Sequence, residues 1–398
     1  MEPGVTSWIM AGALVVVAAL AVAELGSRWW LRHRSRYRVW PAHARMEILM
    51  DPDVSPELEP RCRFYVNGDG ERGAEVRAGE PGLYRILVAG GSAVECFGLD
   101  QPSSWPGCLE RLLNSPDALA ALRARRVHVG NIGHAGVGSA ELDLIFARVL
   151  PQYGHLDAIL IMVAASDVYH WIEEGARSAH PPSVVPESLL FGEYPRQPFG
   201  WRPGMWALAE IARRVRRRWF HPREVKERAA AWFRTALRMR AEATDVRTTV
   251  PDAAVVVSNF EDHFRRVLRR ARSKADRVLV VRQPWLEGTY SAEEQAHMWQ
   301  GGVGRPWKDR VTLYYSLDVV NRLLELVDSR VARVADALGV QHLDLRSLLT
   351  GRLRHYYDHD HHTPAGAAVI GRAVAAALLA TTSGGPRTGD RTVAANAL

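Results

Sequence analysis

Five short apolar runs divide most of the chain, and segments with a helical spacing of apolar residues lie between or after them. The runs are Tyr84–Ala89, Val127–Asn131, Ala158–Ala164, Arg277–Arg282 and Gln341–Leu345. The helical segments are Trp105–Leu113, Ala140–Leu150, His263–Arg272, Leu317–Leu338 and Gly366–Leu379. Strands that alternate with helices form βαβ units, whose right-handed crossovers place the strands in one parallel sheet. The sequence therefore predicts an α/β fold with a five-stranded parallel sheet.

The ends of these runs are the positions where a functional site is expected. In open parallel sheets, ligands bind beyond the carboxyl ends of the strands. The loops that follow Ala89, Asn131, Ala164 and Arg282 are therefore the candidates.

The first of these loops is Gly90-Gly91-Ser92, which presents one hydroxyl between a buried strand and a helical segment. A Gly-x-Ser turn alone is common and indicates little. Val94 stands where the Gly-x-Ser-x-Gly motif of α/β-hydrolases requires a second glycine, so that motif is absent. We nevertheless predict that Ser92 is a nucleophile, because the rest of the chain offers it partners.

A base for this serine is found in the loop before the last helical segment. Asp358 and His361 are three residues apart there, so the carboxylate can accept one imidazole N–H and fix the tautomer. The other ring nitrogen is then free to take the proton of Ser92. The sequence therefore predicts a triad of Ser92, His361 and Asp358 that needs no cofactor and no metal.

Three blocks of the chain resemble, in order, the motifs of the SGNH (GDSL-like) hydrolase superfamily. The blocks are Gly90-Gly91-Ser92 with Glu95 and Trp105-Pro106, Asn131 to Ser139, and Asp358-x-x-His361 with Thr363 to Gly366. The first block is similar to the Gly-Gly-Ser subgroup, and Asn67 and Arg72-Gly73 are similar to its membrane-anchored bacterial members.

This resemblance covers roughly residues 84–379 and carries several implications. It implies a flavodoxin-like three-layer α/β/α sandwich and a serine esterase or acylhydrolase that forms an acyl-enzyme. By spacing, the glycine whose N–H helps to form the oxyanion hole is Gly136. An acylated glycan or lipid is the implied substrate, and the natural substrate and the oligomeric state stay open.

One block departs from the family pattern. Where the family has Gly-x-Asn-Asp, this chain has Ala164-Ala165-Ser166-Asp167, so a serine replaces the asparagine that donates to the oxyanion. Serine also donates a hydrogen bond, but its hydroxyl is shorter and rotates freely. Ser166 therefore leaves two interpretations open: an active esterase with Ser166 in the oxyanion hole, or a catalytically weakened or acyl-transferring relative in envelope glycan or lipid assembly.

The histidines around the triad support a third hypothesis. His355, His359 and His362 lie close to Asp358, Asp360 and His361 in sequence, a density that also suits a metal-dependent hydrolase. If His361 serves Ser92, its neighbours are expected to be surface residues.

Four other residues are candidates for a role near the site. Beyond the fourth run, Trp285 is expected to contact substrate or to cover the core, and His134 is expected to line the pocket or to lie in an ordinary loop. Glu95 is expected to cap or orient the first helix, and Asp167 to accept structural hydrogen bonds.

Residues 7–23 form an uncharged, strongly apolar stretch at the N-terminus. Counted from Pro3, it has about the ~20 residues that cross a bilayer core. Trp29 and Trp30 follow as an interfacial pair, and arginines come after them. We predict a retained anchor at residues 1–35. A cleavable signal peptide is the alternative, because Ala21-Val22-Ala23 resembles a cleavage site, although the basic n-region is missing. The positive-inside rule favours a cytoplasmic catalytic domain, and the extracytoplasmic side stays open.

Composition and spacing give the remaining organisation. We predict a lead-in at 36–83 with one strand near Arg63–Val66, a hydrolase-like domain at 84–380, an insertion at about 180–253 and a disordered tail at 381–398. The net charge of +7 is spread along the chain, which argues against nucleic acid. Within the insertion, Met205–Phe220 is a basic helix that either lies on anionic lipid or has a solvated face.

Overall fold

The computed structural model of the chain describes residues 3–34, 36–52, 55–77, 79–194, 206–220, 223–226, 228–306 and 308–380. The predicted tail and Met205 lie outside the described residues. In the described ranges the strands are β1 (Arg45–Leu49), β2 (Arg61–Tyr65), β3 (Leu83–Gly90), β4 (Arg126–Asn131), β5 (Leu156–Met162), β6 (Arg223–Lys226), β7 (Asp245–Arg247), β8 (Ala275–Val281), β9 (Leu313–Tyr315) and β10 (Gln341–Leu343). The helices there are α1 (Pro3–Arg34), α2 (Ser92–Glu95), α3 (Trp105–Leu113), α4 (Pro116–Leu122), α5 (Ser139–Val149), α6 (Ala165–Glu173), α7 (Glu187–Leu190), α8 (Ala207–Phe220), α9 (Arg228–Ala241), α10 (Ala254–Arg272), α11 (Ala292–Ala296), α12 (Leu317–Ala337) and α13 (Pro364–Ala380).

The central sheet is parallel and has the strand order β4-β3-β5-β8-β10. Numbered along the chain, this is the order 2-1-3-4-5 of flavodoxin-like doubly wound sheets. Each predicted apolar run overlaps one of these strands. The predicted α/β fold with a five-stranded parallel sheet is therefore confirmed.

Helices cover both faces of this sheet. Because side chains alternate along a strand, neighbouring residues of β3 enter different cores. Leu87 and Ala89 pack in one core with α5, α6, α10 and α12. Ile86 and Val88 pack in a second core with α3, α4 and α13. All four side chains are fully buried, and the result is a three-layer α/β/α sandwich.

The lead-in has a strand that the sequence did not predict. In β1, Arg45 is exposed and the next three residues, Met46 to Ile48, are buried; the strand pairs antiparallel with β2. The predicted strand near Arg63–Val66 corresponds to β2. Since Met46, Ile48 and Phe64 belong to the same core as Leu87, the lead-in packs on the sandwich.

Arg72 ties this lead-in to the chain that follows Ser92. Its side chain is fully buried, and its guanidinium donates to the carbonyl oxygens of Glu95 at 2.7 Å, Cys96 at 2.9 Å and Leu99 at 2.5 Å. A buried cation is tolerated when such acceptors replace its water shell. The lead-in therefore fixes the backbone just after the helix that begins at Ser92.

The predicted insertion contains α7, α8, β6, α9 and β7. It joins the rest of the chain through strand pairing: β6 pairs in parallel with β1, and β7 pairs in parallel with β9. These pairings attach the insertion to the lead-in and to the loop region after β8.

The N-terminal helix α1 contains the predicted anchor. Its residues Ser7–His33 are long and apolar enough to cross a membrane, a property that a signal sequence near the N-terminus shares. Trp8 and Leu14 are exposed in its first part. In its last turns Ser27 and Leu31 are buried, so α1 docks on the folded protein at its C-terminal end.

Candidate active site

Ser92 lies at the carboxyl end of β3, where the chain passes through two glycines into α2. A Cβ atom on Gly90 would lie 1.8 Å from the carbonyl oxygen of Met162. A Cβ atom on Gly91 would lie 3.0 Å from the carbonyl oxygen of Val137 and 3.1 Å from Ser166 Oγ. Glycines are therefore needed because three strand ends meet here. The loops after β3, β4 and β5 converge at Ser92, as their sequence positions predicted.

His361 and Asp358 reach this point from the loop before α13. His361 Nε2 lies 2.7 Å from Ser92 Oγ, and His361 Nδ1 lies 2.8 Å and 2.9 Å from the two carboxylate oxygens of Asp358. The Asp358 carboxylate also accepts the backbone N–H of His361 at 2.9 Å. The three predicted residues thus form one hydrogen-bonded row, in which both imidazole nitrogens have a partner.

The charges around Ser92, His361 and Asp358 favour the protonated form of the His361 imidazole. Burial alone would lower the pKa of His361, but the carboxylates of Asp358 and Asp360 and the hydrogen bond to Asp358 raise it. Burial acts against ionisation of Asp358, and attraction to His361 with a hydrogen bond from Trp299 lowers its pKa. An imidazolium formed when His361 takes a proton from Ser92 is therefore stabilised.

The predicted oxyanion residue Gly136 lies in a tight turn after β4. Its φ of +74° is in the left-handed region, which favours glycine. The Glu95 carboxylate accepts the backbone N–H of Ala135 in the same loop, and Asn131 Nδ2 donates to the carbonyl oxygen of Val94 at 2.7 Å. Glu95 therefore holds the Gly136 loop against α2, the helix that it was expected to cap or orient.

Ser166 lies in the first turn of α6, with its hydroxyl beside Gly91. The next residue, Asp167, accepts the backbone N–H of Ser139 at 2.9 Å and the Ser139 hydroxyl at 2.6 Å. Asp167 thus links the start of α6 to the start of α5, as expected for a structural hydrogen-bonding partner. Ser166 is left on the side of the helix that faces the nucleophile turn.

The expectation that the neighbours of His361 are surface residues is wrong. His359, Asp360 and His362 are 0–4% exposed. His359 Nδ1 lies 2.9 Å from the Tyr169 hydroxyl, and its Nε2 lies 2.9 Å from Asn321 Oδ1. These side chains are buried because the loop folds back on itself between Tyr356 and His362 and contacts α6 and α12 through His359.

A metal hypothesis based on these histidines meets competing contacts. Asp358, Asp360 and His361 lie close enough to share an ion. However, the ring nitrogens of His361 already contact Asp358 and Ser92. The Asp358 carboxylate also accepts hydrogen bonds from Trp299 Nε1 and from the backbone N–H groups of Asp360 and His361. A metal ion at this position would have to displace the contacts of His361 with Ser92 and Asp358.

Trp299 is a site residue that the sequence did not reveal. Its indole Nε1 donates to Asp358 Oδ2 at 2.9 Å, so it orients the carboxylate that orients His361. Beside it, Gln300 and Gln283 donate to the two oxygens of buried Asp360 at 3.2 Å and 3.0 Å. These residues lie in irregular segments after β8, where no spacing pattern marks a residue as functional.

Aromatic side chains of the insertion pack beside Trp299 and the loop that carries His361. Trp232 of α9 packs edge-on against Trp299 with ring centroids 5.4 Å apart, and Phe233 packs against Tyr357 at 6.3 Å. Tyr357 in turn stacks on the His361 ring at 5.6 Å. The insertion therefore packs against the His361 ring through Tyr357.

The two remaining candidates, Trp285 and His134, pack against other side chains of the protein. Trp285 is 5% exposed and packs in the first core, with the Arg346 guanidinium 5.3 Å above its ring. The expectation that it covers the core is the one that fits, and the substrate-contact alternative does not. The His134 ring packs at a tilt against Trp40, with ring centroids 4.8 Å apart.

If Ser166 is one oxyanion donor of a serine esterase, Ser166→Ala should lower kcat for aryl ester hydrolysis by roughly 10²-fold with little change in KM. Ser166→Asn should retain activity, because its amide also donates. Initial-rate kinetics on the purified full-length chain measure both, with Ser329→Ala on the exposed face of α12 as the matched control. Wild-type kcat in Ser166→Ala would show that Ser166 does not contact the developing oxyanion.

Comparisons with known proteins give a distant likeness. No protein-family model and no curated protein matches the chain. Among solved structures, Axe2, an acetylxylan esterase from Geobacillus stearothermophilus, has 13% sequence identity, covers 74% of this chain and 94% of its own, and has a TM-score of 0.39. A mutant of Axe2 described as an acetyl-xylooligosaccharide esterase has 12% identity, coverages of 77% and 97%, and a TM-score of 0.39. The function of this chain must therefore be argued from its own site.

Proposed function

We propose that this chain is a membrane-anchored serine esterase of the SGNH superfamily, in its Gly-Gly-Ser subgroup, that hydrolyses an acyl ester. The observation that carries the proposal is the 2.7 Å contact between Ser92 Oγ and His361 Nε2, with Asp358 on the other ring nitrogen. A hydroxyl, a base and a group that orients the base are the parts that nucleophilic acyl transfer requires.

The proposed reaction has two steps. Ser92 Oγ attacks the ester carbonyl while His361 takes its proton, and the alcohol leaves with that proton as the acyl-enzyme forms. A water molecule then attacks the acyl group, giving a proton to His361, and Ser92 recovers its proton as the acid departs. The N–H groups of Ser92 and Gly136 and the hydroxyl of Ser166 would hold the oxyanion in both steps.

The second candidate function is that of an acyltransferase or a weakened relative in envelope glycan or lipid assembly. It is favoured by Ser166, whose rotating hydroxyl stands where the family has a fixed amide donor. In this version the acyl-enzyme forms in the same way, and an alcohol of an acceptor replaces water in the second step. In either version, anchoring by α1 suits an acylated glycan or lipid near a membrane.

A covalent probe tests the proposal. Full-length protein in detergent should hydrolyse 4-nitrophenyl acetate, and a fluorophosphonate should abolish this activity by labelling Ser92, as peptide mass mapping would show. A chelator should leave the rate unchanged. Loss of activity with chelator and no label on Ser92 would instead support the metal-dependent hydrolase, and an acetylated Ser92 that turns over only with an added alcohol would support the acyltransferase.

A further inference from the structure

The basic helix α8 is attached to α1 by a capping contact. Near the end of the apolar stretch of α1, the Glu24 carboxylate accepts the backbone N–H of Ala207 at 2.8 Å and that of Leu208 at 3.0 Å. The same carboxylate accepts a hydrogen bond from Arg28 Nε at 2.8 Å. The first N–H groups of a helix have no partner within it, so an acceptor at this position fixes where the helix begins. The start of α8 is therefore held at the level of Glu24.

Glu24 also marks a change in the surroundings of α1. Before it, Trp8, Leu14 and Val22 are 70–81% exposed, although they are large and apolar. After it, one face of the helix is buried against the protein at Ser27 and Leu31, while Leu25 and Trp29 on the other side stay 67% and 65% exposed. From Trp8 to Glu24 the helix rises about 24 Å, close to the ~30 Å thickness of a hydrocarbon core. If α1 spans a bilayer, α8 begins at its surface.

The composition of α8 suits such a surface. The helix has five arginines and one acidic residue, Glu210, which pairs with Arg213 and with Arg214 at 3.1 Å. Trp206 just before the helix and Trp219 near its end are 62% and 71% exposed. Tryptophan at the boundary and arginine toward the headgroups are typical of helices that lie in a membrane interface.

The opposite side of α8 is the one that contacts the protein. Ala207 is fully buried and Arg214 is mostly buried, whereas Ala212, Arg213 and Arg216 are exposed. The exposed face thus combines arginines with tryptophan, and its charge is complementary to anionic lipid. A merely solvated face would not need exposed tryptophans at both ends.

We propose that α8 lies on the membrane surface and binds anionic lipid headgroups through Arg213 and Arg216, with Trp219 at the hydrocarbon boundary. The inference rests on the membrane anchoring in the proposed function and is independent of its chemistry. It would make α8 a second contact with the bilayer, which limits how the catalytic domain can tilt about α1.

The experiment uses the full-length chain in lipid nanodiscs, with an environment-sensitive thiol dye on Ala212→Cys. The native cysteines Cys62, Cys96 and Cys108 are buried, so the introduced thiol is the accessible one among the described residues. We expect a blue-shifted emission and weaker quenching by aqueous iodide in discs with phosphatidylglycerol than in discs of phosphatidylcholine. High salt should reduce this difference, because exposed charges are screened.

Charge variants decide the outcome. Arg213→Gln with Arg216→Gln should remove the lipid dependence, whereas Arg269→Gln with Arg322→Gln, on exposed positions of α10 and α12, should leave it. The same emission in both lipids, or a difference that survives the first pair, would overturn the inference while leaving the esterase proposal intact. A wild-type chain that does not enter discs would overturn both anchoring and inference. Ester hydrolysis measured in the same samples reports separately on the proposed chemistry.

Discussion

Replacing Ser92 with alanine is expected to lower kcat/KM for aryl ester hydrolysis by at least ~10⁴-fold, since the nucleophile of a serine hydrolase acts as a unit with its base. The change removes the oxygen that lies 2.7 Å from His361 Nε2 and leaves the backbone of α2 in place. Initial rates with 4-nitrophenyl acetate, together with thermal unfolding, separate loss of chemistry from loss of fold.

Ser103→Ala is the matched control for this variant. The Ser103 hydroxyl donates to Glu59 at 2.8 Å and belongs to the segment before α3. Its loss should change the melting temperature slightly and the rate hardly at all. A Ser92→Ala enzyme with more than a tenth of wild-type kcat/KM would exclude the serine mechanism.

The second large effect is expected for Asp358→Asn, which should lower kcat by about 10⁴-fold, the cost of holding a triad histidine in the wrong tautomer. An asparagine amide can donate to Nδ1, so His361 would place its proton on Nε2, facing Ser92, where it cannot act as a base. Both oxygens of Asp358 also accept other N–H groups, Oδ2 from Trp299 and Oδ1 from the backbone of Asp360 and His361, so an amide NH2 at either position removes an acceptor that the loop uses.

The same variant should change the pH profile. In the wild type the negative charge of Asp358 raises the pKa of His361, so the neutral base is lost as the pH falls through that raised value. Without this charge the pKa falls, and the acid limb of kcat/KM should move to lower pH. Rates measured from about pH 5 to pH 11 cover both the ordinary range of histidine and the raised pKa of His361, which is about 10.

Asp360→Asn provides the comparison, because it makes the same chemical change next to the triad. Its Oδ1 lies 3.6 Å from His361 Nδ1, and its carboxylate is held by Gln283 and Gln300. A smaller loss of kcat than in Asp358→Asn is expected. If Asp360→Asn were the more damaging variant, Asp358 would not be the residue that orients His361.

Features that follow from local patterns were predictable from the sequence. The five strands are short apolar runs whose type does not depend on distant residues, and their order of appearance indicates a parallel sheet. Ser92, Gly136 and Ser166 each follow such a strand, so their meeting is a consequence of the sheet. Asp358 and His361 are close in sequence and were found by their spacing.

Features that depend on contacts between distant segments were not predictable. Trp299 contacts Asp358 across 59 positions, and Arg72 contacts Glu95 from a lead-in whose first strand was missed. Burial of His359 was missed for a related reason: a run of polar residues in a loop suggests exposure, and its partners Tyr169 and Asn321 come from other helices.

The docked end of α1 has a consequence for how a substrate would be encountered. In the proposed membrane-anchored state, the helix passes without a break from exposed residues such as Val22 to buried Leu31. A domain on a flexible linker can take many heights and orientations above the bilayer. A domain that packs on its own anchor helix stays at one distance from the membrane surface. Collisions would then depend on lateral diffusion in the plane, so acyl groups carried by molecules in the same leaflet would be reached far more often than those free in solution.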